Sequence, residues 1–119
     1  MMKMNLMEIN LHTQDDVTIV SARGSIDALT AGSLSDALME QIEAGSTRLV
    51  ADLSGVVYTS SAGLRAVLGA QKSIRARGGD LRLADVQPNV ARVLKLSGFT
   101  SIFKIFDAPA EAIASFSRG

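Results

Sequence analysis

Apolar positions along the chain follow two periods, and each change of period marks a new element. Leu6, Ile9 and Leu11 alternate loosely with polar residues up to Thr13 and predict a first strand. Gln14-Asp15-Asp16 predicts a turn. Val17, Ile19 and Ala22 lie among small and β-branched residues that predict a second strand over 17–22. Gly24 breaks that pattern. The two strands predict a hairpin. From Ala28 to Ala44 the spacing lengthens. Leu34, Ala37, Leu38, Gln41 and Ile42 recur at three and four, which puts one apolar stripe on a helix. Thr30 or Ser33 is positioned to cap it, with Asp36 completing a capping box from Ser33, and Gly45 ends it.

Arg48 to Leu53 predicts a short strand, apolar enough to be central. A helix over Ser61 to Ala76 turns Leu64, Val67, Leu68 and Ile74 inward and Arg65, Lys72 and Arg75 outward, and Gly78-Gly79 closes it. Asp80 to Ala84 alternates through Leu81 and Leu83 as a fourth strand. Pro88 opens a helix where its missing N–H costs nothing. Val90, Val93, Leu94 and Leu96 form the buried side of that helix, and Gly98 ends it. Ile102 to Phe106 predicts a last strand and Pro109 to Phe116 a final short helix. The order β-β-α-β-α-β-α-β-α predicts an α/β fold: a mixed, mostly parallel sheet of about five strands with about four helices packed against it.

A length of 119 residues predicts one domain over 1–119, able to bury its own core. Cysteine is absent, which removes disulfides, thiolate catalysis and cysteine metal sites and fits a reducing compartment. Met1 to Met7 is apolar only in patches and is followed by Glu8 and Asn10, so it lacks the apolar core of a signal peptide. No stretch approaches the roughly 20 apolar residues of a membrane span. The expectation is a soluble, cytoplasmic protein with no membrane partner. Net charge is zero, yet residues 1–59 hold three basic against eight acidic side chains and residues 60–119 hold nine against four. The basic residues alternate with apolar ones on predicted helices and a strand, as solvated faces do. The five aromatics do not interleave with them as base-stacking platforms would, so no nucleic-acid partner is expected.

Candidate chemistry concentrates in one run, Val56-Val57-Tyr58-Thr59-Ser60-Ser61-Ala62-Gly63-Leu64. A strand leads into it and a helix leaves it, so two adjacent hydroxyls stand at a helix start. Unpaired backbone N–H groups and a partial positive charge there suit a bound or covalent phosphate. Taken alone, the two serines read as a helix cap. His12 is the single histidine, on an edge-like strand. A metal site therefore lacks a second imidazole, and a serine nucleophile lacks its base. There is no G-x-S-x-G elbow, Ser-x-x-Lys pair or Walker loop. Neither an enzyme nor a metal or other cofactor is expected, and nucleotide affinity should be weak.

Several segments together resemble one family. They are Gly24-Ser25-Ile26-Asp27, Asp52-Leu53-Ser54-Gly55-Val56, Ser60-Ser61-Ala62-Gly63-Leu64, Gly78-Gly79-Asp80-Leu81-Arg82-Leu83, Pro88-Asn89-Val90-Ala91-Arg92-Val93-Leu94 and Leu96-Ser97-Gly98-Phe99. Their order and spacing over nearly the whole chain resemble a STAS domain, and within it the bacterial anti-sigma factor antagonists. The resemblance implies partner switching. A serine at the start of the second helix is phosphorylated by a kinase that is also the anti-sigma factor. The unphosphorylated antagonist binds that kinase and frees the sigma factor, phosphorylation breaks the complex, and a PP2C-type phosphatase restores it. An alternative within the resemblance is a STAS subunit that binds the ATPase of an ABC-type transport system.

The family pattern Asp-Ser-Ser-Gly or Asp-Ser-Ala-Gly aligns Ser61 with the acceptor serine of the second form and puts Ser60 where the aspartate stands. Ser61 is the implied phosphorylation site, with Ser60 as second choice. The implied partner surface comprises Asp27, Ser60, Ser61, Ala62, Gly63 and Arg65. Asp27 has two readings, an acidic residue beside the phosphorylated serine or a cap for the first helix. Gly63 reads equally as leaving room for a partner or as a packing glycine. Arg65, outward and one turn into the helix, has two readings, a solvated arginine, which is favoured, or a partner for a carboxylate. The implied oligomeric state is a monomer or weak dimer.

Overall fold

Two aspartates set the first turn. Asp15 and Asp16 take φ of 53° and 64°, the left-handed conformation that a two-residue hairpin needs and that Asp tolerates better than most side chains. The turn joins β1 (Met7–Gln14) to β2 (Val17–Ile26), antiparallel and in unbroken register from Gln14 opposite Val17 to Met7 opposite Gly24. The computed structural model describes residues 7–117, so the expected strand start at Leu6 and the reading of Met1 onward lie outside the described residues.

β2 runs parallel to β3 (Arg48–Thr59), β3 to β4 (Asp80–Ala84) and β4 to β5 (Ile105–Phe106), giving the sheet order β1-β2-β3-β4-β5. The helices are α1 (Ala31–Glu43), α2 (Ser61–Ala76), α3 (Pro88–Leu96) and α4 (Pro109–Ser117). The described residues form a single α/β domain with a mixed five-stranded sheet and four helices, in the expected order.

Both faces of the sheet are covered, which explains why its strands read as apolar runs rather than clean alternations. Val20, Ala22, Ile26, Leu49, Ala51, Leu81 and Leu83 bury against Leu34, Leu38 and Ile42 of α1, Leu64, Val67 and Ile74 of α2, and Val90 and Leu94 of α3. Their strand neighbours Val17, Ile19, Val50 and Ala84 point the other way and meet Ala112, Ile113 and Phe116 of α4.

Five expectations are corrected. β2 runs past Gly24 to Ile26, and β3 runs past Leu53 to Thr59. The ladder absorbs the apparent breaks as irregularities, shifting register between Ser21 and Arg23 and again between Gly24 and Ser25, where Gly24 takes φ 112°. β5 is only Ile105–Phe106, because the carbonyl of Ile102 is taken by α2, accepting from Arg75 Nη2 at 2.6 Å and Gln71 Nε2 at 3.3 Å. Ser33 and Asp36 lie exposed within α1 rather than forming its capping box. Leu96, expected on the buried side of α3, is 80% exposed at the last turn, where the helix has passed the edge of its packing surface.

Gln71 is buried in the inward face of α2, a polar residue the apolar stripe does not announce. Its Oε1 accepts the Leu81 N–H at 2.8 Å, and its Nε2 donates to Asp80 Oδ1 at 2.9 Å and to the Leu81 carbonyl at 3.1 Å. One amide thereby ties α2, β4 and the segment before β5. Gln71→Leu keeps the volume and strands the Leu81 N–H in the core. The expected loss is about 1–3 kcal/mol, read as a lower urea midpoint at unchanged m-value. An unchanged midpoint would show that the amide contributes nothing.

Candidate functional site

β2 and β3 end side by side, with Ile26 opposite Thr59. The Ser60 N–H then donates to the Ile26 carbonyl at 2.8 Å, the last link across this end before the chain turns into α2. Ser60 has φ −102° and ψ 177°, the extended backbone of a helix N-cap, and its carbonyl accepts the Leu64 N–H at 3.2 Å. Its hydroxyl does not cap: Ser60 Oγ is buried and has no hydrogen-bond partner. Ser61, the first residue of α2, is exposed. The N–H groups of the first turn have no carbonyl one turn earlier to bond, and that turn carries no acidic side chain. The two serines are thus adjacent in sequence and opposite in environment.

Gly63 resolves toward packing. It is buried, and a Cβ there would fall 2.6 Å from Ile26 Cγ2 and nearer still to Thr59 Oγ1. Bare backbone lets the first turn of α2 lie directly on the end of β2. Ala62 is half-buried beside it, and Arg65 is exposed one turn beyond Ser61.

Asp27 serves the turn into α1. Its Oδ1 accepts the N–H groups of Leu29 at 2.9 Å and Thr30 at 3.1 Å. The Asp27 N–H donates in return to Thr30 Oγ1 at 2.9 Å, and that hydroxyl donates to the Ser25 carbonyl at 2.8 Å. Thr30 occupies the N-cap position but its hydroxyl makes no capping bond to α1, so the local order comes from Asp27.

The structure adds an apolar component that the sequence reading missed. Leu29 is 77% exposed in the entry to α1, and Val57 and Tyr58 are 61% and 51% exposed at the end of β3 that leads to α2. Val57 and Tyr58 stand in the run singled out above, but the shifted register hid that they face outward. Leu29 falls outside the stripe of α1, which is the signal that could have found it. This end of β3 is pinned to the start of α3 by Gln87 Nε2 donating to the Ser54 carbonyl at 2.6 Å and Asn89 Nδ2 to the Val57 carbonyl at 2.7 Å.

The idle hydroxyl of Ser60 yields a sign prediction. Removing a working N-cap costs about 1 kcal/mol, whereas removing a buried hydroxyl without a partner is neutral or stabilising. Ser60→Ala is expected to leave the denaturation midpoint unchanged or raise it, and a clear fall would restore the capping role. Gly63→Ala forces a Cβ into Ile26 and Thr59 and is expected to cost about 1–3 kcal/mol by the same measurement.

Comparison with known proteins now places the chain. The STAS domain model matches residues 8–112. A Bordetella bronchiseptica protein named as a candidate anti-sigma factor antagonist, BtrV, is 36% identical over 110 residues, covering 92% of this chain and 95% of its own. A Thermotoga maritima crystal structure, described as a candidate anti-sigma factor antagonist, superposes with a TM-score of 0.85 at 26% identity, covering 90% of this chain and 92% of its own. The anti-sigma factor antagonist SpoIIAA in its unphosphorylated form shares the fold at a TM-score of 0.72 and 18% identity, covering 94% of this chain and 99% of its own. SpoIIAA of Bacillus in the phosphorylated form matches at 0.73 and 19%, covering 92% and 99%. With that model matched over most of its length, the chain belongs to the STAS domain family.

Proposed function

We propose that the protein is an anti-sigma factor antagonist. It binds a serine-kinase anti-sigma factor through the surface around the start of α2, and phosphorylation of Ser61 by that kinase releases it. The observation that carries the choice of residue is the contrast between the exposed Ser61 and the buried Ser60 Oγ. A kinase must bring the acceptor oxygen in line with the transferred phosphorus, and only the Ser61 side chain stands in solvent. Its oxygen would bond to the γ-phosphorus of ATP as the bond to ADP breaks, with the hydroxyl proton passing to a base of the kinase. A PP2C-type phosphatase would reverse the modification by hydrolysis. The names of the curated relatives support an antagonist over a transport-system subunit.

The chain acts here as a binding protein of the cytoplasm, not as an enzyme. Its fold tolerates the phosphate because the first turn of α2 offers unpaired N–H groups and no acidic side chain. The partner does not. Leu29, Val57 and Tyr58 provide exposed apolar surface on the segments that lead into α1 and α2, with Arg65 exposed one turn beyond Ser61 and Asp27 and Ala62 half-buried. A phosphate adds about −1.5 to −2 charge at neutral pH, and enclosing it against an apolar or acidic partner surface carries repulsion and desolvation. Release then follows without a change of fold.

Ser61→Asp is expected to weaken binding to the cognate kinase at least tenfold, or about 1.4 kcal/mol, with an unchanged circular dichroism spectrum and melting temperature. Ser61→Ala should bind like wild type and accept no phosphate. Equal affinity of wild type and Ser61→Asp, or continued phosphorylation of Ser61→Ala, would contradict the proposal. Leu29→Asp provides an independent reading of the apolar contact and should weaken the same complex.

A further inference from the structure

The two edges of the sheet are treated differently. β5 is two residues long, too short to template another strand. β1 is eight residues long, contains no proline or lysine, and keeps its register with β2 throughout. Asn10 to Gln14 are all exposed, and Leu11 is half exposed. Among the described residues nothing pairs with its outer edge. Soluble proteins usually defend such an edge with a charge, a proline, a bulge or shortness. β1 carries one charge, Glu8 near its start, and over Ile9 to Gln14 uses none of these.

We propose that the occupant of this edge is a second copy of the chain, its β1 running antiparallel to the first about a two-fold axis through Asn10. The argument is one of register. Residues opposite each other across an antiparallel pair lie on the same face, so the axis of a symmetric pair must pass through a residue. With the axis at Asn10, Glu8 faces His12 of the partner copy, and by symmetry His12 faces the partner's Glu8. A carboxylate meets a ring N–H donor twice. Asn10, on the same face, meets its own copy, and on the other face Ile9 meets Leu11 twice. With the axis at Leu11, Glu8 faces Gln14 and the charge match is lost. With the axis at His12, Glu8 faces Asp16 and the match becomes repulsion. One register therefore satisfies both faces.

The resulting sheet has ten strands, twice the five of one copy. Because the axis reverses strand direction, the starts of the two α2 helices point away from each other. Each copy keeps its Ser61 surface open, and a dimer presents two separate partner sites. The contact is short of the roughly 1,600 Å² of a standard interface, so the dimer is weak and reversible, with a Kd of roughly 10–1,000 μM.

The test is sedimentation equilibrium of the full chain across that concentration range, with two substitutions at one exposed position. His12→Glu sets carboxylate against carboxylate twice and is expected to weaken dimerisation about tenfold or more. His12→Lys sets an ammonium opposite each Glu8 carboxylate and should dimerise at least as well as wild type. Circular dichroism confirms that both are folded. Monomeric wild type throughout the range overturns the proposal, as does a dimer that His12→Glu and His12→Lys affect equally. The binding assay of Ser61→Asp is read separately, so failure of one idea does not decide the other.

Discussion

The site depends on a close approach of backbone to side chain. Gly63 lets the first turn of α2 rest on Ile26 and Thr59 with no Cβ between them. The Ser60 N–H closes the same corner by bonding the Ile26 carbonyl. These two contacts join the ends of β2 and β3 to the start of α2, so the helix terminus is held by a covered sheet rather than by a mobile loop. Everything the serine does follows from that. Its position is set by the core, and its chemistry by what the first turn leaves unpaired.

Two adjacent hydroxyls acquire different fates from this geometry. Turning from an extended strand end into a helix sends Ser60 toward the protein and Ser61 toward solvent. Burying a hydroxyl without a partner costs about 1–3 kcal/mol by general expectation, so Ser60 Oγ is a local liability that the packing around it outweighs. The related pattern with aspartate at this position would place a charge beside the serine. Here the first turn carries no acid, and a phosphate on Ser61 meets less local repulsion than it would next to a carboxylate. Under the proposed function, opposition to phosphate would then come from the partner rather than from the protein itself.

Much of this was legible in the residues, for physical reasons. Period-four stripes such as Leu34, Leu38 and Ile42 reveal helices because a single face must be buried. Arg48 to Ala51 reveals a central strand because both its faces are covered. What was not legible depends on contacts distant in sequence. Ser54-Gly55 looked like a strand end, and only its pairing with β2 shows that the ladder continues through a register shift. Ile102 looked like strand until α2 claimed its carbonyl. Gln71 drew no notice because a glutamine is buried only when its bonds are met, and its partners lie nine or more residues away. The serine pair was visible as a site, but which hydroxyl faces outward was a question of packing.

The proposed switch would separate stability from signalling. The groups that hold the corner together, Gly63, Ile26, Thr59 and the Ser60 backbone, are buried or bonded within the chain. The groups proposed to meet a partner, Ser61, Arg65, Leu29, Val57 and Tyr58, are exposed and lie outside the core. Charge added to the second set therefore changes the free energy of the complex while leaving that of the fold almost untouched. Moving a partner from mostly bound to mostly free requires a differential of about 5.5 kcal/mol. A doubly charged group enclosed against apolar surface is among the few single modifications able to contribute on that scale, because the desolvation of an unpaired charge is costly. Arginine or lysine on the partner, placed to receive the phosphate, would remove that differential, so the surface that meets Ser61 must be apolar or acidic for the switch to work.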